Sequence, residues 1–283
     1  MTLVRRHLVG ALVVVLALAV GIALGAGPLQ RDDIVPTSAS PTDTGEEPAG
    51  PTADDLAAAA GPSLLGARLE GRSIAVLAGP GVTSETLDSV TAGIESGAGS
   101  VSGTWRLTES LTEPSEKALV ETLGDQLVEQ LESQPAEPDA PGYERIGQLI
   151  GTALATRRSD ATAASQDALT VRQSLAAAGL VQGGDRDARR SPLVLVVLGE
   201  DLDDYVVGGI LDGLATRSAG VVVAAPVREG DLTVVDGRGA VTTVDGIEGE
   251  AGQVAAVLAL ARVEETPAGS YGASGADGLL PLG

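Results

Sequence analysis

Residues 193–198 read LVLVVL, and this stretch decides the fold class of the chain. Every position in it is apolar, so a strand formed here is covered on both faces, as the strands of parallel sheets are. Gly199 follows as a turn, residues 201–217 have a helical pattern, and residues 221–225 (VVVAA) are again apolar throughout. Strand, helix and strand in this order predict an α/β unit built on a parallel sheet.

The same alternation extends in both directions from this unit. The further predicted strands are short and apolar, and they comprise residues 73–78 (SIAVLA), 100–107 (SVSGTWRL) and 241–244 (VTTV). The further predicted helices begin at Thr83 and Pro114 and cover residues 143–156, 165–178 and 250–263. The predicted fold class is an α/β sandwich with a mainly parallel sheet, preceded by an N-terminal transmembrane helix.

The N-terminal segment has the pattern of a membrane anchor. Arg5, Arg6 and His7 precede an uncharged apolar run, residues 8–26. Its length is about what a helix needs to cross a hydrocarbon layer of ~30 Å. Arginines before the run and acids after it predict a cytoplasmic N-terminus, with the rest of the chain on the other side of the membrane.

Two alternatives to an uncleaved anchor remain open. Ala23 and Gly25 are small residues in plausible positions before a signal-peptide cleavage site. The run could also be a buried helix of a soluble protein, although such helices are rarely apolar on every side. The anchor and the signal peptide both export the rest of the chain.

Composition divides the chain into four predicted parts. They are the anchor or signal peptide (1–27), a disordered Pro/Thr/acid-rich tether (28–63), the α/β domain (64–265) and a Gly-rich tail (266–283). The tail has too little apolar surface to fold alone. It either docks on the domain through Tyr271, Leu279 and Leu280, or it is loose.

Charge and residue content exclude several classes of function. The formal net charge is −21 and Lys117 is the only lysine, which argues against binding to nucleic acid or to anionic lipid through the exported part. There is no cysteine, and the only histidine is His7, so neither a Ser-His-Asp arrangement nor a His/Cys zinc site is available to an exported domain. We predict no catalytic residue and no cofactor-binding residue.

An acidic cluster directly after the strongest strand is the most site-like feature. Its members are Glu200, Asp201, Asp203 and Asp204. Open α/β sheets bind ligands at this carboxyl edge, and carboxylates there are weak candidates for a hard divalent cation. The structural interpretation is that Asp201 caps the following helix while its neighbours complement the positive helix end. Asp245, Glu248 and Glu250 repeat the pattern before the last helix.

Two other residue patterns have structural interpretations. Residues 79–81 (GPG) supply glycines after a strand, but no lysine follows them as a phosphate-binding loop requires, so we expect a tight turn. Trp105, the only tryptophan, is expected in the core rather than as a platform for a ligand.

Several stretches in the same order resemble one family of proteins. They are residues 5–25 (RRHLVGALVVVLALAVGIALG), 71–82 (GRSIAVLAGPGV), 100–111 (SVSGTWRLTESL), 240–260 (AVTTVDGIEGEAGQVAAVLAL) and 271–281 (YGASGADGLLP). Together they resemble the MctB-type copper transport family of actinobacteria over nearly the whole chain. The resemblance implies a membrane protein of copper homeostasis in the outer membrane or cell envelope, with copper as the transported species.

The residues present restrict how such a protein handles copper. Cu(I) selects sulfur ligands and Cu(II) prefers imidazole, whereas the chain has no cysteine, one methionine (Met1) and His7. A single spanning helix cannot enclose a channel. We therefore expect a homo-oligomer or an envelope protein partner.

These inferences favour a membrane-anchored, non-catalytic protein of copper homeostasis. An alternative is an exported binding or scaffolding domain of the cell envelope that is unrelated to copper. A third is a carboxylate-metal enzyme centred on residues 200–204.

Overall fold

Seven strands form a single sheet in the part of the chain that the structure describes. The computed structural model describes residues 52–131, 133, 136–137, 139–199, 202–227, 241–266 and 268–282. The strands are Ser73–Ala78 (β1), Ser100–Leu107 (β2), Val181–Gly183 (β3), Leu193–Val197 (β4), Gly220–Ala225 (β5), Val241–Asp245 (β6) and Gly269–Tyr271 (β7).

Helices connect most of these strands. They are Ala53–Leu65 (α1), Ser84–Ser96 (α2), Glu109–Thr112 (α3), Lys117–Gln130 (α4), Gly142–Leu154 (α5), Gln166–Ala177 (α6), Asp204–Arg217 (α7) and Glu250–Arg262 (α8). A 3₁₀ turn, Pro114–Glu116, precedes α4. Two of these helices begin with a side-chain cap at the residue that the sequence predicts. The Thr83 hydroxyl accepts from Thr86 N–H before α2, and the Ser165 hydroxyl accepts from Ala168 N–H before α6.

The strand order is β3-β2-β1-β4-β5-β6-β7, with every neighbouring pair parallel except β2 and β3. The chain first winds outward from β1 to β3. It then returns to the other side of β1 and continues from β4 to β7. The predicted mainly parallel α/β sheet is therefore confirmed, and the winding reverses between β1 and β4, as in doubly wound folds.

The sheet lies between two layers of helices. The central strand β4 is buried at every position. Val194 and Val196 face the layer that contains α4 to α7, whereas Leu193, Leu195 and Val197 face α1, α2 and α8. An all-apolar strand is stable in this position because both of its faces leave water.

Helix α1 lies where the sequence predicts the end of the tether. Ala57, Gly61 and Leu65 are buried in the layer with α8. The Asp54 carboxylate accepts from Ala251 N–H at 2.9 Å and thereby caps α8, whose own N-cap residue is a glycine without a side chain. The compact unit begins at Ala53. Residues 28–51 of the predicted tether lie outside the described residues.

The Gly-rich tail docks on the domain. Its residues 269–271 form the edge strand β7 beside β6, and Tyr271 and Leu280 pack against the core. The buried Asp245 carboxylate accepts from the backbone N–H of Ser274 at 2.8 Å and from the Ser274 hydroxyl. The sequence left open whether the tail is docked or loose, and in the structure it is docked.

Helices α5 and α7 approach each other through glycines. A Cβ atom on Gly213 would meet the Glu144 carbonyl oxygen and lie 2.5 Å from Gln148 N, and one on Gly147 would meet the Ile210 carbonyl oxygen. The obstructing atoms belong to the backbone, which cannot turn aside as a side chain can. Glycine at these positions is therefore a requirement of the packing.

The predicted N-terminal transmembrane helix, residues 8–26, lies outside the described residues. Among the helices that the structure describes, none has both the length and the apolar content needed to cross a membrane.

We predict that Gly213→Ala lowers the melting temperature by about 4–8 °C. Overpacking is expected to lower the free energy of unfolding by about 2 kcal/mol, which outweighs the better helix propensity of alanine. Gly124→Ala in α4 is the matched control, since its Cβ would lie 3.4 Å from the nearest atom, Ile146 Cδ1. Thermal unfolding followed by circular dichroism measures both variants. An equal effect of the two substitutions would contradict the packing argument.

We also predict that Asp245→Ala increases amide hydrogen exchange in residues 269–279 more than in β4 or β5. The substitution removes the acceptor of both bonds from Ser274, so the tail opens locally. Ser274→Ala is the control, because it removes the hydroxyl and keeps the backbone N–H. Unchanged exchange in the tail of the Asp245 variant would mean that other contacts hold it.

Candidate functional site

The carboxyl ends of β1 and β4 mark the point where a doubly wound sheet ordinarily binds its ligand. The strands are neighbours, and Leu77 and Ala78 pair with Val196 and Val197. Two connections leave the sheet here, the turn after β1 and the segment from β4 to α7. The acidic cluster predicted from the sequence belongs to the second connection.

Backbone contacts close the crevice between these two connections. Gly79 N–H donates to Val197 O at 2.7 Å. A Cβ atom on Gly199 would meet the Pro80 carbonyl oxygen, so the two turns lie in direct backbone contact. The side chain of Leu202 lies on Gly79, with Cδ1 3.1 Å from the position of a Cβ there. The expected tight turn at residues 79–81 is present, and it lies against Gly199 and Leu202.

The structure uses one acid of the cluster as a helix cap. Asp203 Oδ1 accepts from the backbone N–H groups of Tyr205 and Val206, each at 3.0 Å. The capping interpretation therefore holds, but for Asp203 rather than Asp201, and α7 begins at Asp204. The reason is local geometry, since Asp203 has the extended backbone of an N-cap residue (φ −68°, ψ 124°). Glu200 and Asp201 lie outside the described residues.

The second group of acids does not form a cluster. Asp245 binds the tail, Glu248 Oε1 accepts from Val227 N–H at 3.2 Å, and Glu250 begins α8. Within the ranges that the structure describes, no three His, Cys, Asp or Glu side chains are grouped so as to hold a metal ion. Asp245 and Glu248 therefore have separate structural contacts, and Glu250 lies in the first turn of α8.

An aromatic pair lies beside Asp203. The rings of Tyr143 and Tyr205 meet edge to face at 5.9 Å, and the Lys117 ammonium lies 5.0 Å from the centre of the Tyr205 ring. Burial raises the pKa of the Tyr143 hydroxyl, and the charges of Asp203 and Glu121 raise it further. Tyr143 therefore stays protonated at neutral pH, and its ring packs against that of Tyr205.

Trp105 belongs to the core, as expected. Its side chain is buried, and the Arg172 guanidinium lies 5.5 Å from the ring centre. Arg172 Nε donates to Ala153 O at 2.9 Å and Nη1 donates to Arg186 O at 2.7 Å. Burial lowers the pKa of Arg172. A cavity of about 310 Å³ adjoins this pair, and its wall includes Ile150 and Leu169.

Sequence reasoning missed a larger polar pocket of about 420 Å³. It lies where α5 and α7 end and α6 begins, away from the carboxyl edge of the sheet. Its lining includes Arg157 and Arg190, which come from two separate connections, and Arg217, which is the last residue of α7. No motif joins residues so far apart in the chain, so the only signal in the sequence was the presence of arginines in a strongly acidic protein.

We predict that Asp203→Ala lowers the free energy of unfolding by about 1 kcal/mol and the melting temperature by roughly 2–4 °C. Asp203→Asn is expected to lower the free energy of unfolding by only a few tenths of a kcal/mol, because Asn is also a good N-cap. The Asn variant is the matched control for the cap.

Millimolar Ca²⁺ or Mg²⁺ is expected to leave the melting temperature unchanged at constant ionic strength. A cation-dependent rise that Asp203→Asn removes would instead make this residue a metal ligand.

Comparison with known proteins connects the whole chain to one family. The family model described as "Copper transport outer membrane protein, MctB" matches residues 1–281. No curated protein matches the chain. The match spans both the N-terminal apolar run and the α/β unit, and it agrees with the resemblance of the sequence stretches quoted above. The chain therefore belongs to the MctB family of copper transport outer membrane proteins.

Proposed function

We propose that this chain is a membrane-anchored, non-catalytic component of copper transport in the cell envelope. Its N-terminal helix holds it in the membrane, and its α/β unit acts on the far side of that membrane. The single observation that carries the proposal is the family match from residue 1 to residue 281, because it includes the anchor segment as well as the folded unit.

The closed crevice at the carboxyl edge supports a role without catalysis. Enzymes on doubly wound sheets use the space between the loops at the reversal point. Here the turn at residues 79–81 and Gly199 meet through their backbones, and Leu202 covers Gly79. A substrate would have to separate two connections that already touch each other. The α/β unit is better suited to contact other molecules through its surface.

The ligand chemistry supports transport by assembly rather than by a copper site of the chain itself. Sulfur and imidazole ligands select copper, but the whole chain has only Met1 and His7 as candidates, both before the apolar run. We infer that the path for copper forms between several copies of the chain or between the chain and an envelope protein.

An exported domain of the envelope that does not act on copper is the second candidate. The observation that favours it is the same shortage of copper ligands, combined with an acidic composition of net charge −21. The two candidates differ in whether the loss of the chain changes the copper content of the cell.

We predict that deletion of the gene changes the copper content of the cells and makes growth sensitive to copper, and that the intact chain restores both. The measurements are growth over a copper series and cellular copper by mass spectrometry. Unchanged copper content in the deletion strain would favour the envelope domain unrelated to copper.

Variants of the apolar run test the anchor in the same strain. Leu16→Asp places a charge in the middle of residues 8–26, at a cost of about 3 kcal/mol for insertion, and is expected to abolish both membrane association and complementation. Leu29→Asp, just beyond the run, is the matched control and is expected to complement. The intact mass of the membrane-bound protein includes residues 1–27 if they are an anchor. A mass without them would make the segment a signal peptide.

A further inference from the structure

The pocket of about 420 Å³ concentrates positive charge in an acidic protein. Arg157, Arg190 and Arg217 line it, and Asp167 is the one acid among its lining residues that the structure describes. These four side chains carry formal charges of +3 and −1, so the lining has an excess of two positive charges. Such an excess needs a partner, since like charges held together repel each other.

The guanidinium groups have buried nitrogen atoms without hydrogen-bond partners. Within the described part of the chain, Nε of Arg190 and Nε of Arg217 are buried and unbonded. None of the ion pairs between described residues involves Arg157, Arg190 or Arg217. Burial lowers the pKa of Arg217, as does the neighbouring charge of Arg157, while Glu137 raises it. An arginine remains protonated in spite of such shifts, so the lining keeps its positive charges, of which that of Arg217 is partly offset by Glu137.

Capping of α7 does not explain the position of Arg217. The Leu214 carbonyl accepts from the N–H and the hydroxyl of Ser218, at 3.1 and 3.0 Å. The Gly213 carbonyl accepts from the Thr216 hydroxyl at 2.8 Å, and the Thr216 carbonyl accepts from Arg157 Nη1 at 3.5 Å. The last carbonyls of the helix therefore have donors other than the Arg217 side chain.

The packing of α5 and α7 holds Arg217 at the pocket. Gly151 of α5 lies directly against the stem of this side chain, and a Cβ atom there would be 2.6 Å from Arg217 Cβ and 3.0 Å from its Cγ. Ser165 and Thr156 add hydroxyl groups to the wall, and each accepts a backbone N–H, from Ala168 and Arg158. Their O–H groups are donors, as an anion requires.

We propose that this pocket binds a phosphate group, with Arg157, Arg190 and Arg217 as its charged donors. The guanidinium fork matches the geometry of a phosphate, and the negative charge of a phosphate complements the excess of positive charge in the lining. The site is distinct from the carboxyl edge of the sheet, and the proposal does not depend on how the chain transports copper.

Thermal unfolding of the full chain in detergent tests the proposal, with the fluorescence of the single, buried Trp105 as the signal. The probes are inorganic phosphate and glycerol 3-phosphate, against KCl at equal ionic strength. At about ten times Kd, phosphate is expected to raise the melting temperature by roughly 3–6 °C, and at higher concentrations the rise is expected to follow the logarithm of the phosphate concentration. Tighter binding of glycerol 3-phosphate would identify a phosphorylated molecule rather than the free anion as the ligand.

Arg157→Gln is the main variant, because this side chain is exposed and its loss leaves the core intact. We expect it to weaken phosphate binding about tenfold, the effect of one charge-assisted hydrogen bond. Arg158→Gln removes the same charge from the neighbouring position, which does not line the pocket, and is expected to bind as the unchanged chain does.

The two variants separate a specific site from the general stabilisation that phosphate gives to proteins. A rise in melting temperature that is proportional to the phosphate concentration, or that is equal in the unchanged chain and in Arg157→Gln, would overturn the proposal. Arg217→Gln is expected to lose binding as well, and the result with Arg157→Gln decides the matter if the Arg217 variant fails to fold.

Discussion

Close contact between helices α5 and α7 is the constraint on which the layer above one face of the sheet depends. The chain has no phenylalanine and only four other aromatic residues, one Trp and three Tyr, so large rings cannot fill the interior. Gly147 and Gly213 instead let backbone meet backbone. The same packing brings the ends of the two helices together, with Arg217 at the end of α7 and Arg157 just beyond α5. The arginine pocket is thus a product of how the protein packs its small side chains.

The elements predicted from the sequence are those whose own residues determine them. Strand β4 is apolar at every position, and Thr83 and Ser165 begin helices through their side chains, so each follows from a short stretch. Strands β3 and β7 have three residues each, and only their pairing with β2 and β6 makes them strands. No local pattern reveals such pairing.

Long-range contacts also explain the remaining differences between the predictions from the sequence and the structure. Helix α1 contains Pro62 and follows a Pro-rich stretch, so the sequence favoured a tether. Its stability comes from burial against α8 and from the bond between Asp54 and Ala251, residues far apart in the chain. The pocket could not be predicted because its arginines meet only after folding.

The two edges of the sheet are short. Strand β3 is antiparallel to β2, and strand β7 is part of the Gly-rich tail. Each of these edge strands is only three residues long. A short edge presents few unpaired N–H and C=O groups, so it is a poor template for a strand of another molecule. The domain is in this respect protected against edge-to-edge association with other copies. Assembly of several copies would have to use helix surfaces instead.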